Sequence, residues 1–184
     1  MTGCGRRAAG IALFVAAAAL AACAVVPHDG RAPDADTLSG RMAVRVEAGG
    51  GNEARAVSAA FDLRGNADAG TLNLATPLGT VLAQARWSPG NVVLATPQGE
   101  SRFSDLDALT RQVLGESLPV AALFDWLRGR PWPGAASQAT APPVEPGFEQ
   151  LGWVVSLARF DEAWVTARRE LPSVVTVRAK VDRP

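Results

Sequence analysis

Cysteine, histidine and lysine are almost missing from this chain. Its 184 residues hold two cysteines and one histidine, and Lys180 is the only lysine. Cys4 and Cys23 both precede the stretch that can fold, so no disulfide and no cysteine-based metal site can form inside it. His28 also lies outside that stretch, which removes Ser-His-Asp and Cys-His catalysis. No Gly-rich loop leads into Lys-Ser/Thr, so ATP-driven work has no evident site. The carboxylate pairs Asp105 with Asp107 and Asp161 with Glu162 are better explained by helix capping and solvated turns than by acid–base work. Excess charge of either sign is missing too, with 18 Lys+Arg against 18 Asp+Glu. Without a basic excess to neutralise phosphates, a nucleic-acid-binding domain is not expected. Neither an enzyme, a metal site nor a cofactor is expected, and a binding function is left.

What is present is apolar. At 48% hydrophobic and 20% charged, the composition is that of a globular domain rather than a disordered chain. The N-terminus has a different plan: Met1 to Arg7 is basic, Ala8 to Ala22 is apolar, and Cys23 follows, as in a secretory signal. The competing reading is a membrane-spanning helix, because Ala8 to Val26 is 19 residues without a charge, long enough for a bilayer. Leu20-Ala21-Ala22-Cys23 favours the signal, because it resembles the lipobox of bacterial lipoproteins, in which the cysteine sulfur receives diacylglycerol. That resemblance implies a signal peptide at 1–22 and an acylated Cys23 at the mature N-terminus, anchored by several acyl chains at about 0.8 kcal/mol per buried CH₂. Ala24 follows, not the Asp that retains such lipoproteins at the inner membrane, which implies the outer membrane facing the periplasm. Removing Arg6 and Arg7 with the signal leaves a formal charge of −2.

Residues 23–37, with Pro27, Gly30 and Pro33, show no apolar period and are expected to form a lipidated tether. Its fourteen residues after Cys23 would span roughly 45 Å when extended. His28 belongs to it, as a solvated residue rather than a ligand.

Residues 38–184 are expected to form a single domain. Leu38, Met42, Val44 and Val46 alternate with Ser39, Arg41, Arg45 and Glu47, the period of two that buries one face of a strand. The same pattern recurs at Val57 to Arg64, at Leu72 and Leu74, at Val81 to Trp87 and at Val92 to Ala95. The turns between them fall at Gly49 to Asn52, Gly65 to Gly70 and Ser88 to Asn91. This spacing predicts an antiparallel meander. The period then changes. Ser104 is the expected cap of a helix with Leu106, Leu109 and Val113 on one side and Gly115 as its stop. Val120, Leu123, Phe124 and Leu127 form the stripe of a second helix ending at Gly129. Gly134 to Gly147, rich in proline, is expected to be a loop. Strands resume over Phe148 to Leu157, around Trp164, and from Val175 to Val181. A curled sheet of this kind tends to close toward a barrel, which can enclose an apolar cavity.

Four stretches carry a family resemblance: Thr76-Pro77-Leu78-Gly79-Thr80, Ser88-Pro89-Gly90-Asn91-Val92, the run from Leu118 to Gly129, and Gly147-Phe148-Glu149-Gln150-Leu151-Gly152-Trp153. In their order and spacing, from Leu38 to Val181, the chain resembles the LolB family of outer-membrane lipoprotein receptors. The resemblance implies a mainly β fold, an open antiparallel barrel of about eleven strands with short helices over its mouth, shared with the soluble periplasmic carrier LolA. It also implies a monomer that accepts lipoprotein cargo from LolA, shelters the acyl chains in a hydrophobic cavity and inserts them into the outer membrane. Leu78 is singled out as the membrane-insertion residue; by itself, it could equally fold back onto the core. For the cavity, the expected lining is Met42, Val44, Phe61, Leu72, Leu74, Trp87, Leu94, Leu123, Trp126, Leu127 and Trp164. Trp126, off the helix stripe, suits lining a cavity better than filling one. The opposing reading is a structural scaffold lipoprotein with a filled interior.

Overall fold

A computed structural model describes residues 37–49 and 53–183. The expected signal peptide, Cys23, the tether up to residue 36 with His28, and the Gly50 to Asn52 part of the first turn lie outside the described residues; Thr37, expected to end the tether, is instead the first residue of a strand.

Six strands run in chain order along one arm: β1 (Thr37–Val46), β2 (Arg55–Gly65), β3 (Gly70–Ala75), β4 (Val81–Ser88), β5 (Asn91–Thr96) and β6 (Gly99–Phe103). Two helices follow, α1 (Leu106–Leu114) and α2 (Val120–Trp126). The other arm is β7 (Ser137–Ala139), β8 (Gly147–Gln150), β9 (Trp153–Ser156), β10 (Trp164–Arg169) and β11 (Val175–Val181). The arms join where β1 pairs antiparallel with β11, giving one sheet in the order β6-β5-β4-β3-β2-β1-β11-β10-β9-β8-β7. No ladder joins β6 to β7, so the barrel is open.

Alternation decides which face is which. Along β11, Val175, Val177 and Ala179 are buried while Thr176, Arg178 and Lys180 point outward, and β1 and β2 follow the same rule. A sheet this long, with one apolar face, must curl around a filler or bury that face against another layer. The two helices supply the layer.

Three further sequence expectations need correction. The cap of α1 is Asp105, not Ser104: its carboxylate accepts the Ala108 N–H at 2.7 Å, while Ser104 donates to Asp105 at 2.8 Å. Those two bonds hold the Asp105 carboxyl below the usual carboxylate range, the Ala108 amide contributing most. β6 falls where no strand was expected, because an edge strand exposed at Gly99 to Arg102 has no buried face to impose alternation. β7 interrupts the expected 134–147 loop, where Ser137 to Ala139 pair with Gln150 to Phe148.

Close backbone approach explains one glycine in particular. Gly40 has φ +154°, and a Cβ there would stand 2.1 Å from the Lys180 carbonyl across the β1–β11 joint. Gly40→Ala is expected to cost about 1–3 kcal/mol in urea denaturation; an unchanged midpoint would show that the joint can spread.

Candidate functional site

α2 sits between the two arms and is buried on most of its circumference. Phe124 meets Trp87 of β4 edge-on at 5.8 Å, while Trp126 meets Phe148 of β8 at 6.4 Å and Trp153 of β9 at 6.0 Å. Val120, Leu123 and, just past the helix, Leu127 face the space left in the middle. That space is a cavity of about 310 Å³, walled by the inner faces of β1 to β5, by Leu109, Val113 and Leu114 of α1, by Leu118, and by Val177 of β11. Among the described residues, Thr96 and Thr110 are the only polar ones on the wall. Thr110 turns its hydroxyl to other work, donating to the Asp107 carbonyl at 3.2 Å and accepting the Leu118 N–H at 3.0 Å. An apolar wall with its few hydroxyls already engaged offers water little and a hydrocarbon much.

Of the residues expected to line the cavity, Met42, Val44, Leu72, Leu74, Leu94, Leu123 and Leu127 stand on its wall. Phe61, Trp87, Trp126 and Trp164 do not. Phe61 and Trp87 are buried in the surrounding core. Trp126 is fully buried and donates its indole N–H to Gln150 at 2.7 Å, so it fills space rather than lining it. It leaves the helix stripe because α2 has a second arm of sheet to pack against. Trp164 lies on the outer face, in register with Lys180. An aromatic on a strand satisfies a cavity pattern and an exterior pattern equally well, and here the strand's parity places it outside.

Leu82, Val113, Leu114 and Leu118 were missed as wall residues. The apolar stripe of α1, on a helix that the family resemblance places over the mouth, was the signal for Val113. Leu82 reaches the wall because the β3–β4 register shifts between Leu74 and Ala75, an irregularity that alternation cannot foresee.

Leu82 and Val113 are both wall residues and both exposed, which marks them as the mouth. Arg55 ties α1 to this rim by donating to the Val113 carbonyl at 2.8 Å. The β3–β4 hairpin connects directly into it. There Pro77 and Leu78 form a closed turn: the Gly79 N–H reaches the Thr76 carbonyl at 2.9 Å, and the Thr80 N–H reaches the Thr76 hydroxyl at 3.2 Å. Pro at the second turn position and Gly at the fourth suit such a turn. Leu78 does not fold back onto the core; it stands 95% exposed, with exposed Val81 beside it.

Just after Val113, the α1–α2 connection is tied to β10. Arg169 donates to the Glu116 carboxylate at 2.6 Å and to the Ser117 carbonyl at 3.2 Å, and its guanidinium lies 5.1 Å from the centre of the Trp153 ring. The C-terminal end of α1 and the connection after it are thus pinned twice, through Arg55 and Arg169.

An open antiparallel barrel that keeps an apolar pocket under a helical cover, with an exposed leucine on the hairpin at its mouth, defines the class. The family described as "Outer membrane lipoprotein LolB" matches residues 35–183. The outer-membrane lipoprotein LolB of Bordetella pertussis is 34% identical over 94% of this chain and 91% of its own length. That of Bordetella petrii is 35% identical over 91% of this chain and 88% of its own, and that of Chromobacterium violaceum 32% identical over 67% and 63%. The chain belongs to the LolB family of outer-membrane lipoproteins.

Proposed function

We propose that this protein is a lipoprotein receptor of the outer membrane: it takes the acyl chains of cargo from the soluble carrier LolA into its cavity and passes them to the bilayer through the Leu78 hairpin. Membership of the LolB family supports the receptor role and the outer-membrane location. Cleavage after residue 22, acylation of Cys23, a tether to residue 36 and a single domain over 37–184 belong to the same reading. So does a monomer facing the periplasm.

The apolar cavity carries the reading. Exposing an acyl chain of some fifteen carbons costs roughly 12 kcal/mol at about 0.8 kcal/mol per CH₂, so cargo cannot cross water freely. It must move mouth to mouth between sites of similar polarity, and small affinity differences then set the direction without nucleotide hydrolysis. At about 310 Å³, the cavity is at the lower end of pockets that bury a drug-sized ligand. Such a volume has room for no more than a single tail, and further tails require α1 and α2 to move aside. A scaffold lipoprotein would need a filled interior, and the cavity counts against that alternative.

A fluorescent fatty-acyl probe tests the reading. Uptake is expected to raise the probe's own emission; no tryptophan stands on the wall, so tryptophan quenching is the weaker signal. Leu74→Trp, which pushes a larger side chain into the cavity from a half-buried position, is expected to weaken uptake at least about tenfold, or 1.4 kcal/mol. Uptake unchanged by that variant would place the probe elsewhere and remove the cavity from the mechanism.

A further inference from the structure

The outer face at the β1–β11 joint has its own pattern. Register aligns Arg45, Thr176 and Arg168 in one row across β1, β11 and β10, then Ala43, Arg178 and Thr166, then Arg41, Lys180 and Trp164. β2 extends these rows with Ala56, Ser58 and Ala60, and β9 with Val154 and Ser156. Five of these positions are cations and none is an acid. Arg168 is paired with Glu170 at 2.7 Å. Arg41, Arg45, Arg178 and Lys180 form no ion pair among the described residues. Glu162, whose charge Lys180 also feels, is held by Arg159 at 2.6 Å.

The fold gains little from this arrangement. Arg41 lies directly opposite Lys180, and like charges in that position oppose sheet pairing. The rows beyond carry acids, Asp62 and Asp182 beside Ser39 at one end and Glu47 past Arg45 at the other, so the concentration of cations belongs to these three rows, in a chain that is neutral as a whole. Half-buried Trp164 is their common neighbour, with Arg178 at 5.4 Å, Arg159 at 5.6 Å and Lys180 at 5.9 Å from its ring. Ala43, Ala56, Ser58 and Ala60 are too short to keep a flat partner away from the cations around them.

We propose that this face docks on the anionic phospholipid headgroups of the membrane. A bilayer presents negative phosphates in a plane, and a shallow grid of cations around a tryptophan, a side chain that favours the membrane–water interface, complements it. The LolB family's outer-membrane setting puts such a plane within reach. Only two strands, β2 and β3, separate β1 from β4, so docking here would hold the domain beside the bilayer that the hairpin serves. The proposal depends on that setting and not on the cavity.

The test uses the full-length protein in phosphatidylethanolamine vesicles, either alone or with about a third phosphatidylglycerol. The readout is quenching by headgroup-labelled nitroxide lipid, with Trp164→Phe identifying the Trp164 share. Quenching of Trp164 is expected in the anionic vesicles, is lost at high salt, and falls to the neutral-vesicle level in the Arg41→Gln/Arg178→Gln/Lys180→Gln variant. Each neutralised cation is expected to lower the docked population ratio by about fivefold. All three positions are exposed, and the control Arg86→Gln/Arg102→Gln/Arg111→Gln, with the same charge change elsewhere, is expected to keep the quenching. Absence of Trp164 quenching in anionic vesicles, or quenching that survives in the triple variant, overturns the proposal. So does a triple variant that docks normally on vesicles but no longer binds the purified carrier, which would assign the face to an acidic protein. Probe uptake measured on the same samples separates failure here from failure of the delivery reading.

Discussion

Leu78→Glu is expected to leave the fold and the acceptance of cargo from the carrier essentially intact, while delivery into liposomes falls at least tenfold. The side chain is 95% exposed on a turn closed by its own backbone, so it contributes little to stability and its replacement disturbs no packing. In a bilayer it would contribute roughly 1.5–3 kcal/mol of burial, enough to orient the mouth but not to anchor the protein. Glutamate removes that gain and adds the cost of bringing a charge toward hydrocarbon, about 2.5–3.5 kcal/mol at the centre of a bilayer and less near its surface. Even half of the combined penalty exceeds the 1.4 kcal/mol that corresponds to a tenfold loss. Leu78→Phe keeps the apolar surface and is expected to deliver normally, while Leu78→Ala should fall between. Normal delivery by Leu78→Glu would take Leu78 out of the mechanism and leave the exposed Val81 and Leu82 as the apolar contacts to examine.

Period decided how much of this was legible. Strands with one buried face announced themselves: β1, β2 and β11 follow the alternation of their sequences, β4 does so from Ala83 onward, and the stripe at Val120, Leu123, Phe124 and Leu127 marked α2. β6 and β7 are edge strands whose residues are almost all exposed, so neither face selects for apolar side chains and no period arises. Of the residues expected around the cavity, the aliphatic ones stand on its wall and the aromatic ones do not. An aliphatic side chain on the inner face of β1, β3 or β5 has no other place to go. A tryptophan has two further options: it can fill a core where its N–H finds a partner, as Trp126 does with Gln150, or it can lie outside beneath cations, as Trp164 does. Choosing among the three requires the neighbours, and these come from strands far away in sequence. The lid was half legible for the same reason. α1 showed its apolar side, but the tie of its C-terminal loop to β10 joins Glu116 to Arg169, 53 positions apart, and no local pattern connects them.

Gln150→Leu is expected to destabilise the domain by about 3 kcal/mol and to lower Tm by roughly 6–12 °C, at 2–4 °C per kcal/mol for a chain of this size. Gln150 is only 2% exposed, yet every polar valence of its amide that the fold can use is engaged. Its Oε1 accepts the Trp126 indole N–H at 2.7 Å and the Trp132 backbone N–H at 2.9 Å; its Nε2 donates to the Trp132 carbonyl at 2.7 Å and the Ala135 carbonyl at 2.8 Å. One side chain thereby fixes the indole that plugs α2 against the second arm and the chain segment leading from the helices into β7. Leucine has a similar size but no hydrogen-bonding atoms. The Trp126 N–H would be left inside the core without a partner, at about 1–3 kcal/mol. Trp132 and Ala135 are only half-buried and can turn to water, so their losses are smaller. Gln150→Glu separates the two halves of the account: its ionised carboxylate keeps the acceptor for Trp126 but cannot donate to either carbonyl and places a charge in a site almost closed to water, so it should be no more stable than leucine. A Gln150→Leu protein that melts with the unaltered chain would mean that α2 is held by its aromatic contacts alone, and that the buried amide network is incidental to the position of the lid.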